Sequence, residues 1–82
     1  MIDHTFEPVV VWETFLRRRT LTDAGVAARW LLERWPRETV KPRSYGRALR
    51  ACLSAMEGAV PPAAARLALV KAVDDAGILS QA

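Results

Sequence analysis

Residues 8–21, PVVVWETFLRRRTL, decide how the fold is read. Three consecutive valines followed by Trp12 put β-branched and aromatic side chains where a pleated, half-buried surface favours them. Pro8–Trp12 therefore reads as a strand, with Pro8 at its beginning or on a sheet edge because it has no N–H to give to a ladder. Phe15–Leu21 is a second strand candidate whose alternation is blurred by Arg17, Arg18 and Arg19. The link Glu13-Thr14-Phe15 contains none of the Gly, Asn or Asp residues that a tight primed turn prefers. Two strands this close in sequence pair most simply as an antiparallel hairpin. Residues 1–8 form a mixed lead with no clear period.

Downstream of the hairpin the period changes from strand to helix. Thr22 is a suitable N-cap, and Asp23 suits the positive end of a helix over residues 23–35. On a helical wheel Ala24, Ala27, Ala28, Leu31, Leu32 and Trp35 share one face. Arg29, Glu33 and Arg37 follow one another at i,i+4, a spacing that permits ion pairs. Pro36 disfavours the α conformation at Trp35 and ends the helix there. Trp30 falls off the apolar face, beside Val26 and between Glu33 and Arg34. A second helix runs from a Ser44 cap to about Glu57, and Gly58 supplies its left-handed C′ residue. Its apolar face holds Tyr45, Ala48, Leu49, Cys52, Leu53, Ala55 and Met56. A third helix begins at Pro61-Pro62, where a missing N–H costs little. Its core stripe is Ala65, Leu69, Ala72, Val73 and Ala76, and Gly77 ends it, with Ile78 folding back as the hydrophobic contact of a Schellman cap. The expected order is thus ββααα, an α+β domain over residues 1–82 with its core in about 6–79. A lone hairpin is not stable in water, so it must pack on the helices or pair with a second copy.

The totals limit the function classes. A chain of 82 residues holds one small core. A single cysteine, Cys52, cannot form an internal disulfide or a cysteine-based metal cluster within one chain, which points to a reducing, cytoplasmic setting. No apolar run approaches the length of a membrane span, and the opening MIDHTFEP is acidic and polar rather than a basic-then-apolar leader, so a soluble, unexported protein is expected. Residues 17–50 carry ten of the twelve basic side chains against Asp23, Glu33 and Glu38, a formal +7, while the remainder is −4. Such polarity can steer the domain toward an acidic partner.

Four ordered landmarks, FEPVVVW (6–12), LLERWP (31–36), SYGRALRACLSAMEG (44–58) and AARLALVKAVDDAGI (64–78), together resemble a family of short bacterial proteins known from rhizobial soil bacteria, domain-of-unknown-function family 982. The resemblance covers about residues 6–79. It implies a small α+β domain without an assigned activity, so it transfers no catalytic or binding residues. The chain departs from the family pattern in the hairpin link, where a glycine is expected and Glu13-Thr14-Phe15 stands.

Catalysis has little to build on. His4 lies in the N-terminal lead with no nucleophile or acid arranged around it. Cys52 sits on an apolar helix face, whereas reactive thiols need exposure and positive surroundings. Asp74 and Asp75 are adjacent on a helix and point about 100° apart, so they read as solvated charges rather than an acid/base pair. No phosphate loop, zinc spacing or calcium loop occurs, and neither a metal nor a cofactor is expected.

Two binding classes remain. In the first, the domain is a non-enzymatic interaction module. Val26, Arg29, Trp30 and Arg34 then form a partner-facing patch on the first helix, for an unidentified protein or for self-association, with Leu67 a further exposed apolar group. The competing reading is that the hairpin or the N-terminal lead covers Trp30 and makes it second-layer core, since a domain this small uses its large aromatics for burial. In the second class, Arg17, Arg18, Arg19, Arg47 and Arg50 form a basic patch that neutralises nucleic-acid phosphates. The strand–helix–helix order is similar to ribbon-helix-helix repressors, but the loop of residues 36–43 and the third helix do not fit that pattern.

Overall fold

The computed structural model describes residues 3–82. Strands β1 (Thr5–Thr14) and β2 (Arg17–Asp23) form the expected antiparallel hairpin. Helices α1 (Ala24–Glu33), α2 (Ser44–Met56) and α3 (Pro62–Asp75) follow, and a short strand β3 (Leu79–Gln81) ends the order. The α+β class stands. The sequence reading did not include β3, which pairs antiparallel with the free side of β1 and gives the sheet order β2-β1-β3.

The first strand starts three residues before Pro8. Thr5, Phe6 and Glu7 belong to it rather than to a formless lead, and Phe6 is buried. The register slips between Thr5 and Val9, around the proline that cannot serve a continuous ladder. The Glu7 carbonyl inside this irregularity accepts a 2.9 Å hydrogen bond from Arg66 Nε on α3. At the other end Phe15 and Leu16 make a two-residue turn, and among the described residues only Gly58 and Gly77 have positive φ. A primed turn is therefore absent. Instead the register shifts between Trp12 and Thr14, a bulge that leaves Glu13 without a cross-strand partner.

Each of the first two helices departs from expectation at its start. Asp23, not Thr22, caps α1: its Oδ1 accepts from the Val26 N–H at 2.8 Å. The helix also stops at Glu33, with Arg34 as C-cap, so the Trp35-Pro36 restriction acts two residues further upstream than expected. The N-cap of α2 is Arg43, and the Ser44 hydroxyl donates instead to Asp75 Oδ2 on α3 at 2.7 Å. The two glycine endings behave as anticipated. Gly58 N–H donates to the Ala55 carbonyl and Ala59 N–H to Ser54; Gly77 N–H donates to Asp74 and Ile78 N–H to Val73. These paired bonds, with φ of 80° and 76° at the two glycines, are Schellman motifs. The second one turns the chain so that the Ile78 carbonyl accepts from Trp12 N–H at 2.8 Å, which starts β3.

Helix α1 packs on β2, α3 packs on β1 and β3, and α2 packs on those two helices. The core between the layers holds Val9, Val11, Leu21, Ala27, Leu31, Ala48, Cys52, Leu69 and Val73. The α3 stripe is as expected, with Ala76 at its half-buried end. The α1 face is not. Leu32 is 62% exposed and Trp30 is 2% exposed, the reverse of the wheel assignment. The buried arc of α1 is turned by about 40° toward Trp30, because the helix must meet the hairpin on one flank and α2 on the other.

Candidate functional site

Along β1, Val9 and Val11 point to the helices, and the bulged Glu13 continues that parity. Its side chain is 11% exposed, and Oε1 accepts two bonds, from Arg19 Nε at 2.6 Å and from Trp30 Nε1 at 3.1 Å. A partly buried carboxylate thus satisfies the indole N–H of a buried tryptophan and is itself compensated by a guanidinium, as withdrawing either polar group from water requires. This is why Trp30 is core. The second layer predicted as the competing reading is correct, and Trp30 is not a solvent-facing partner residue.

The aromatic side chains between residues 29 and 47 form a row rather than a surface. Trp30 and Trp35 lie with ring centroids 5.5 Å apart, and Trp35 meets Tyr45 edge-on at 5.1 Å. Trp35 Nε1 donates to the Thr39 carbonyl at 2.8 Å, and the Tyr45 hydroxyl donates to the Leu31 carbonyl at 2.6 Å. Burial pushes the Tyr45 phenol above its usual value. The row ties the loop after α1 to the start of α2.

The other three members of the expected helix-one patch do meet. Val26, Arg29 and Arg34 line a shallow groove of about 470 Å³ that lies above the buried Trp30. Its remaining walls come from Arg19 and Asp23 on β2, Gly25, and Met56 at the end of α2. Among the described residues the ion pairs are Arg19–Glu13 and Lys71–Asp75, so the i,i+4 pairs expected for Arg29, Glu33 and Arg37 do not form. Arg29 and Arg34 make no ion pair among those residues. Arg19 uses its Nε for Glu13, and its terminal amino groups donate to nothing there. Asp23 is committed to capping α1. The groove therefore presents the Arg29 and Arg34 guanidinium groups, with the Glu13-paired Arg19 behind them, beside the part-exposed Val26 and Met56.

The basic patch does not assemble. Arg19 turns to the helix side, as parity with buried Leu21 requires, while Arg18 lies across the opposite face of the sheet with its guanidinium 5.4 Å from the Trp12 ring centroid. Arg17 and Arg18 border a depression there with Val10, Leu16, Thr20 and Gln81. Arg47 and Arg50 are on the solvent side of α2, which packs on α1 and α3 rather than on β2. The five arginines fall on three surfaces.

Sequence reasoning missed Glu13, Arg19 and Met56 as parts of the site. For Arg19 a signal was present, since it lies two residues from Leu21 and shares its face. For Glu13 the same spacing of two from Val11 was present, but the strand expected to end at Trp12 runs on to Thr14 in the structure. The remaining nucleophilic and titratable groups weighed in the sequence lie outside this groove. Cys52 is fully buried and its thiol is pushed up to about 11 by desolvation. His4 belongs to the strand lead, where its carbonyl accepts from Ala24 N–H at 3.0 Å. Asp74 and Asp75 are exposed, as expected, although Asp75 also accepts from Ser44 and from Lys71 at 3.3 Å. No group of three His, Cys, Asp or Glu side chains among the described residues could hold a metal. No described helix is long and apolar enough to cross a membrane.

Neither a curated protein nor a solved structure matches the chain. A family model described as "Protein of unknown function (DUF982)" matches residues 7–80, and with almost its whole length covered the chain belongs to the DUF982 family.

Proposed function

We propose that the domain is a cytoplasmic, non-enzymatic interaction module that binds a partner protein through the groove on α1. One observation carries this reading: Val26 and Arg29 from α1, its C-cap Arg34, Arg19 from β2 and Met56 from α2 converge on one open groove above the buried Trp30, with Val26 and Met56 as its exposed apolar groups. Arginine and methionine are both enriched at protein–protein interfaces, and here they flank an exposed valine. The burial of Cys52 removes the chain's one thiol as a nucleophile and suits a reducing compartment. Panning a library of short random peptides on the folded domain, followed by amide and indole chemical-shift mapping, tests the proposal. Binders are expected to shift Val26, Arg29, Met56 and the Trp30 indole N–H together. Binders that consistently map elsewhere, for example to the exposed Phe15-Leu16 tip, would remove it.

A further inference from the structure

Resting on the groove as the binding surface, we infer that its partner is an acidic protein segment carrying an apolar anchor. The lining has three arginines against Asp23, whose carboxylate is already used as a helix cap. Two of those arginines make no ion pair among the described residues, and the third keeps its terminal amino groups free there. The unpaired Arg29 and Arg34 guanidinium groups beside apolar side chains gain most from carboxylates delivered together with apolar contact, whereas Arg19 is already paired with Glu13.

The disposition of the charges selects a chain rather than a single small anion. At about 100° per residue, Arg29 and Arg34 lie on opposite sides of the ridge made by Val26 and Trp30. Arg19 projects from the neighbouring strand. The positive charge is therefore spread around the apolar groups and does not converge on one point. A segment with Asp or Glu on both sides of a Leu, Phe or Met residue matches that pattern: the anchor meets the part-exposed Val26 and Met56 side chains, and the flanking carboxylates meet the rim. The basic character of residues 17–50 adds steering toward such a segment at low salt.

The test compares peptide pools selected by the wild-type domain and by the charge-reversed variant Arg29→Glu/Arg34→Glu. Both positions are exposed and unpaired among the described residues, so the variant is expected to fold, and its melting curve checks this. The milder Arg34→Gln serves if it does not. Wild-type binders that map to the groove should combine acidic and apolar residues. Their affinity should fall with salt and drop at least about tenfold on the variant, whose own pool should turn basic. Groove binders without acidic residues, equally tight on both proteins, would overturn the acidic partner and leave the groove itself standing. Absence of any groove binder would remove both. Tighter binding of a short single-stranded oligonucleotide to the same resonances would replace the acidic segment with nucleic acid. Self-association that the charge reversal abolishes would replace it with a second copy of the chain.

Discussion

Trp30 shows how one side chain can be misplaced by a wheel and correctly placed by its polar atom. A helical projection weighs only the angle around α1, and on that measure Leu32 belongs inside and Trp30 outside. The indole has more area to bury than Leu32 and one N–H to satisfy, and Glu13 on the hairpin provides the acceptor at 3.1 Å. Trp30→Phe should therefore destabilise the domain by about 2–3 kcal/mol in urea unfolding, combining lost ring volume with an acceptor left unmade. An indifferent result would return Trp30 to the surface. Cys52 makes a second residue-scale prediction. Burial raises its thiol from the usual 9.0 to about 11, so the folded protein favours the neutral form. The associated stability is complete below about pH 9 and is lost as the pH rises to about 11, on the order of 2–3 kcal/mol. Tyr45 shifts in the same direction and adds to the alkaline loss. The fall in unfolding free energy from neutral to alkaline pH should be smaller for Cys52→Ala than for the wild type.

At the scale of elements, sequence signals worked where one residue type has one conformational use. Gly77 and Gly58 end their helices in the left-handed region, where a Cβ is disfavoured. Gly46, inside α2 with open space around its Cα, has no such requirement. Gly77→Ala should cost about 1 kcal/mol, while Gly46→Ala should stabilise by about 0.5–1 kcal/mol, both read from thermal or urea unfolding. A cost at Gly46 would mean that α2 packs more tightly there than its open surroundings show. Capping was less legible because Thr22, Asp23 and Ser44 are all competent by residue type. Asp23 acts because β2 continues through it and delivers its carboxylate to the Val26 N–H. Ser44 does not act as a cap because α3 brings Asp75 within reach of its hydroxyl.

For the whole molecule, the decisive element is the smallest. Strand β3 has three residues, no periodicity and no β-branched side chain, yet it makes β1 the central strand and covers an edge that would otherwise stay open. Deleting residues 79–82 should lower the unfolding free energy by about 2 kcal/mol or more, and should release amides of Val10–Trp12 to hydrogen exchange before those of β2's partner positions in α1. Unchanged protection along β1 would contradict the central role given to β3. The sequence by itself determined the α+β class, the hairpin, three helices, the glycine stops and the buried stripe of α3, because each follows from local propensity and period. Tertiary structure alone decided the third strand, the rotation of α1, the hydrogen bond that joins Glu13 to Trp30 and the division of the arginines among three surfaces. Those depend on which elements become neighbours. A side chain's burial is set by the partner that reaches it, and residues far apart in the chain find such partners only after the layers have packed.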